Sequence, residues 1–387
     1  GSYRDNVATT NARRIGSSDN LVIATNLNNF TFQAKAEFSS FSTDALNLSW
    51  TDLFGTAFPI HVALFGGDGL QARSGNVNSS ATQDGTVDVD VGFDPQHVEF
   101  FSFDEPFNET GSTDFFFSRG AAARVGANGV QQRSVTQVAP HNLSVTSSVG
   151  CKASSSYIGQ SVSQGTAPTV QAGYELSWIT DGFRITTRDG AVALRFGYLA
   201  LGPNGDWHAR VLHKNSPSNT DTNQVVLTPW PIQGGLTWQT HLQGGDDFAT
   251  TDRAGIFALG AFTDQEEFTL GWVNDDGAAT TDANTYRDTQ TIYTEDQAGT
   301  STIEATLDSL GADKDFTLDF SSTLSSGAAQ FYTVYEAAQI TASALENIEL
   351  SETASVLLED VQPAAGVQKL HVARPGLYRA NIARPLP

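Results

Sequence analysis

Two short stretches carry side chains that could do chemistry. Asn274-Asp275-Asp276-Gly277, with Asp282 following, gathers carboxylate and amide oxygens in one loop, and a calcium ion takes about six to eight such ligands from a flexible segment. The strict EF-hand spacing fails, because its first ligand position falls on Trp272; a plain turn is the preferred reading and a structural calcium the alternative. Trp207 stands between Gly205-Asp206 and His208 in an expected loop. A sugar ring stacks on an indole face while neighbouring polar groups bind its hydroxyls, so Trp207, Asp206 and His208 form a candidate glycan platform. Trp178 and Trp238 sit in strand patterns and are expected to fill cores.

Nucleophilic catalysis has no frame here. None of the seven histidines accompanies a serine or cysteine in a recognisable arrangement, and His61 and His97, inside or beside expected strands, read as core or edge residues. Gly-x-Ser-x-Gly, the phosphate-binding glycine loop, His-Glu-x-x-His and paired Cys-x-x-Cys are all missing. The acidic pairs Asp104-Glu105, Asp246-Asp247 and Glu266-Glu267 could serve two-carboxylate glycoside hydrolysis only across a cleft; as sequence they read as loop or edge charges. Cys151 is the single cysteine, which excludes an internal disulfide framework and fits a small buried apolar residue. The expectation is a protein that is not an enzyme and has no cofactor.

The elements that must position these residues are strands. Asn29 to Phe38, Thr86 to Val91, Phe183 to Thr187 and Phe316 to Phe320 alternate apolar and polar residues, the pattern of a sheet with one face on a core. Turn clusters such as Gly66-Gly67-Asp68-Gly69, Arg188-Asp189-Gly190 and Gly202-Pro203-Asn204-Gly205 separate them. Short strands with frequent turns predict an all-β protein of tandem antiparallel β-sandwich domains, jelly-roll or lectin-like, with extended N- and C-terminal arms. Helical periodicity is scarce; Ala342 to Leu350 could form a turn or two.

The strands recur. Leu46, Phe183 and Phe316 open similar blocks 137 and 133 positions apart, and Ile60-His61-Val62, Phe196-Gly197-Tyr198 and Tyr332-Thr333-Val334 follow at a spacing of 136. Phe115 to Gly120 aligns with Phe248 to Gly255, and Gly165-Thr166 with Gly299-Thr300. A period this long is a domain used again rather than a solenoid unit. The expected organisation is an N-terminal arm at 1–20, a partial β unit at 21–75, sandwich repeats at 85–202 and 222–338, and a C-terminal extension at 341–387. That extension carries four prolines with Arg374, Arg379 and Arg384, a locally basic segment that reads either as docking on an acidic surface of a neighbouring copy or as a solvated tail.

The net charge of −22 repels polyanions, so nucleic acid is not an expected partner. No apolar run approaches the roughly 18 residues that cross a bilayer, so no membrane insertion is expected. Arg4, Arg13 and Arg14 precede a polar stretch and not an apolar core, so no secretory leader is read.

The block from Gly150-Cys151 through Trp178-Ile179-Thr180-Asp181-Gly182-Phe183 to Tyr198-Leu199-Ala200-Leu201-Gly202, preceded by Phe93-Asp94-Pro95 and Arg119-Gly120, resembles a domain of virion proteins of tailed phages. Its strand arrangement is also similar to the H-type lectin sandwich. The first resemblance implies a structural component on a capsid surface or in a tail, located in the extracellular particle and partnered by copies of itself and other virion proteins. The second implies binding of a host-surface glycan. Neither transfers functional residues.

Overall fold

The computed structural model describes residues 2–3, 12–14, 17, 20–25, 32–42, 45–52, 59–65, 69–103, 112–113, 115–139, 150–163, 169–203, 208–218, 223–240, 256–274, 283–296, 299–311, 314–323, 329–336, 367–371 and 376–381. Every regular element among them is a strand, as the alternation predicts. The N-terminal portion holds β1 (Ser2–Tyr3), β2 (Ala12–Arg14), β3 (Asn20–Thr25), β4 (Phe32–Phe41), β5 (Ala45–Asp52) and β6 (Pro59–Leu64). Then come β7 (Leu70–Asn78), β8 (Thr86–Asp90), β9 (His97–Ser102), β10 (Ser112–Thr113), β11 (Phe115–Val125), β12 (Gly129–Ala139), β13 (Gly150–Ser154), β14 (Gly159–Val162), β15 (Val170–Ile179), β16 (Gly182–Arg188) and β17 (Arg195–Pro203). A second series follows: β18 (His208–Asn215), β19 (Gln224–Leu227), β20 (Gly234–Thr240), β21 (Phe257–Thr263), β22 (Glu267–Asn274), β23 (Ala283–Asp288), β24 (Ile292–Glu295), β25 (Ser301–Gly311), β26 (Asp315–Ser322) and β27 (Ala329–Glu336). β28 (Val367–His371) and β29 (Gly376–Asn381) are the last.

Two antiparallel sandwiches share one strand order. The first pairs a six-stranded sheet, β13-β12-β11-β9-β17-β7, with a four-stranded sheet, β14-β15-β16-β8; the second pairs β23-β22-β21-β20-β27-β18 with β24-β25-β26-β19. Strand for strand the orders match. The backbone matches as well: the turns before β16 and β26 both place a non-glycine residue at positive φ, Asp181 at 56° and Lys314 at 68°, and Phe183 and Phe316 follow, both buried. Where Phe115 to Gly120 was aligned with Phe248 to Gly255, the register requires a correction. β11 corresponds to β21, which begins at Phe257, and residues 241–255 lie outside the described residues. The loop into this strand is longer in the second copy, so a constant spacing slides past it.

Alternation places each core. Val98, Phe100, Phe116, Phe183, Ile185 and Phe196 fill the first sandwich, and Phe262, Phe316, Leu318, Phe320, Tyr332 and Val334 fill the second. A third cluster, including Phe115, Phe117, Val135, Cys151, Trp238, Phe257 and Phe331, draws only on the six-stranded sheets of both. The two sandwiches are therefore joined back to back, and β9 and β11 are buried on both faces.

The chain divides into two compact units, 1–16 with 69–337, and 17–68 with 338–387. In the first, β1, β2 and β10 make a small sheet, so part of the stretch expected as an arm is strand. In the second, a sheet β28-β5-β4-β3 and a pair β29-β6 join the partial β unit to residues of the C-terminal extension.

Gly120 on β11 lies under the Ile158 carbonyl, and a Cβ there would sit 1.9 Å from its oxygen. Gly120→Ala should cost toward the upper end of the roughly 1–3 kcal/mol typical of overpacking, read as a lower urea midpoint for the first sandwich.

Candidate functional site

Among the described residues, a buried group of ionisable side chains meets between the two sandwiches, whereas the Arg184–Asp88 and Arg188–Glu175 pairs lie in the four-stranded sheet of the first sandwich and are solvent-accessible. On β9, Val98 and Phe100 point into the first core, so the intervening positions His97, Glu99 and Phe101 face the second sandwich. On β11 the same alternation sends Phe115, Phe117 and Arg119 to that side. From the second sandwich, Phe331 and Tyr335 of β27 and Trp238 of β20 meet them.

Glu99 is the centre. His97 Nε2 donates to Glu99 Oε1 at 2.8 Å, and the Tyr335 hydroxyl donates to the same oxygen at 2.9 Å. Arg119 Nη2 lies 2.6 Å from Glu99 Oε2. That contact is an ion pair without hydrogen-bond alignment, since Glu99 Oε2 and Arg119 Nε both lack a hydrogen-bond partner. The guanidinium also stands 4.1 Å from the centroid of Phe101 and 5.4 Å from that of Trp238, where ring quadrupoles attract a cation. An ionised carboxylate can only accept, so the shared proton belongs to His97 Nε2, and Nδ1 has no partner. His97, Glu99, Arg119 and Tyr335 are 0, 1, 3 and 8% exposed.

Burial alone would raise the Glu99 carboxyl, but the Arg119 charge, His97 and the Tyr335 hydroxyl outweigh it and hold the group down at about 2. Burial, with Glu99 beside it, pushes the Tyr335 phenol well above its ordinary value. Such groups resemble acid–base machinery, yet each is closed off from solvent. Their chemistry is to fasten one sheet to another. Gln137 adds a neighbouring tie, accepting from the Trp272 indole of the second sandwich.

The cluster belongs to one copy only. Leu199 and Tyr335 occupy matching positions, and their strand partners are Glu99 and Gly234; the position matching Arg119 is Ala261. Glu99 escaped sequence reasoning because a lone Glu in an alternating strand reads as solvent-facing. The available signal was the unbroken apolar character of Phe115-Phe116-Phe117 and Ala121-Ala122-Ala123, which marks a strand buried on both faces.

Of the sequence candidates, His208 is exposed on β18 with its ring 5.4 Å from that of Trp230, a partner the sequence did not suggest. Trp207 and Asp206 lie outside the described residues. Asn274 ends β22, while Asp275, Asp276 and Asp282 lie outside them. Arg379 pairs through its backbone with His61; Arg374 and Arg384 also lie outside. Among the described residues, no three His, Cys, Asp or Glu side chains converge on a metal-sized site. Glu267, expected as an edge charge, is half-buried and accepts from Thr291 N at 2.8 Å and Leu307 N at 2.9 Å, so it ties β22 to the facing sheet. His97, Cys151 and Trp238 are core residues, as expected.

Arg119→Met, which leaves a buried carboxylate short of its cation, should cost about 3–5 kcal/mol in urea unfolding, and adding Glu99→Leu should recover part of that loss. Because folding lowers the Glu99 pKa from 4.5 to about 2, its contribution is present above about pH 4.5 and is lost as the pH falls toward 2. The amount is on the order of 3 kcal/mol. Glu99→Gln should flatten stability against pH across that window. No known family model matches the chain, and no curated protein matches it.

Proposed function

We propose that this chain is a non-enzymatic structural protein of a virus particle, on a capsid surface or in a tail, that works by assembling with copies of itself. The observation that carries the reading is the position of Glu99, Arg119, His97 and Tyr335: these four ionisable groups join two sandwiches and are buried away from solvent. A duplicated, back-to-back scaffold is a stiff building block, and the resemblance of the Gly150 to Gly202 block to tailed-phage virion proteins points the same way. The charge of −22 suits a solubilised particle component whose copies associate once their repulsion is screened.

A carbohydrate-binding receptor-recognition or adhesin role is the second reading. It is favoured by the exposed His208 beside Trp230, with the Arg210 guanidinium 4.6 Å from the Trp230 ring centroid.

Sedimentation should show a self-assembled species whose affinity rises as ionic strength is increased from about 0.02 to 0.5 M, a range over which the screening length falls several-fold. A monomer at all concentrations and salts would refute the structural reading. Binding on a glycan array lost on Trp230→Ala would establish the second.

A further inference from the structure

The unit formed by residues 17–68 and 338–387 is a third copy of the sandwich, split across the sequence. Its sheet β28-β5-β4-β3 repeats the order of β8-β16-β15-β14 and β19-β26-β25-β24, and β29 lies on β6 as β9 lies on β17 and β20 on β27. The N-terminal portion thus supplies the later strands of a repeat and residues 367–381 supply earlier ones. No described strand of this unit corresponds to β11, β12 or β13.

Side-chain burial registers the difference. Phe41 and Phe38 face Leu46 and Leu48 across the β4–β5 ladder, just as Trp178 and Leu176 face Phe183 and Ile185 in the first copy. Leu176 is 4% exposed, whereas Phe38 and Phe41 are 46 and 71% exposed, their rings 4.8 Å apart. In the first copy the covering comes from β12 and its turn: Gln132 Oε1 accepts from Leu176 N, and Gly129 O accepts from the Trp178 indole. The split copy thus shows outward a face that the intact copy shuts inside.

The geometry points to the split copy as the joint between copies of this chain, with β28 and β29 of one molecule closing β3 to β6 of the next. This inference rests on the assembly reading above. Exchange preserves each strand contact of the closed unit and substitutes only the molecule that supplies it. Thirty residues separate Glu336 from Val367, a length that spans at most roughly 100 Å when extended, so a neighbour's strands are within reach. Each molecule would then donate through one portion and receive through the other, a head-to-tail contact that propagates as a ring or a filament. The exposed Phe38 and Phe41 correspond to the face that β12 covers in the first copy, so β28 and β29 leave them exposed whichever molecule supplies these strands.

Ser49 and Val367 are directly opposed across β5 and β28, and such partners have Cα separations of roughly 4.5–5.5 Å, within disulfide range. The native thiol does not interfere, because Cys151 is fully buried and burial pushes it up to about 12. Full-length Ser49→Cys and Val367→Cys chains are refolded together and oxidised, alongside the double variant. Exchange predicts a covalent dimer containing one of each chain, and a ladder of multiples from the double variant. A double variant that cross-links only within one molecule, with no covalent dimer from the mixture, overturns the joint, as does the absence of cross-linking in both samples. Sedimentation of the wild-type chain separates the two ideas: an assembly that persists alongside that result sinks the joint and leaves the structural reading standing.

Discussion

The carboxylate of Glu99 has been taken out of water and placed between two sheets, and the rest of the larger unit is arranged around making that tolerable. A buried charge without a partner is among the most costly groups a fold can contain. Arg119, His97 and Tyr335 answer it from three strands, and Phe101 and Trp238 line the guanidinium with ring faces. Tyr335 comes from the second sandwich, so Glu99 Oε1 gains its second donor only when both sandwiches are folded and in register. An apolar seam of phenylalanines and alanines could slide; one fixed by a carboxylate and a phenol has a single correct position.

This lock shows how a duplicated fold becomes asymmetric. The strand order is the same in both copies, but the matching positions hold Glu99 and Arg119 in one and Gly234 and Ala261 in the other. Two glutamates facing each other across the seam would repel at short range in a medium that screens poorly. One charged copy facing one aromatic copy avoids this and makes the contact heterologous rather than two-fold.

The fold was legible because a sheet with one face on a core writes a two-residue period, and Phe183 and Phe316 with their shared turns are strong landmarks. Spacing failed where loops changed length, which is why Phe248 stood in for Phe257. The central cluster was not legible, since Tyr335 lies 236 positions from Glu99 and nothing local marks them as neighbours. The acidic loop at Asn274 and the platform at Trp207 drew attention because polar residues bunch there, whereas the polar groups that matter most to the packing are scattered singly through apolar strands. Trp230 was overlooked for a related reason: its proline-flanked setting reads as a turn, and only the fold brings His208 and Arg210 to it.

The pairing of β5 with β28 has a consequence for synthesis. Ala45 and His371 are opposed in that ladder yet lie 326 positions apart, so at the usual roughly 5–20 residues per second the ribosome needs about 15–65 s between making one and making the other. Throughout that interval β5 has an unfilled hydrogen-bonding edge while both complete sandwiches emerge and fold behind it. A nascent strand left open for so long is a natural client for a chaperone, and in a polysome it is also offered to the finished chains of neighbouring ribosomes.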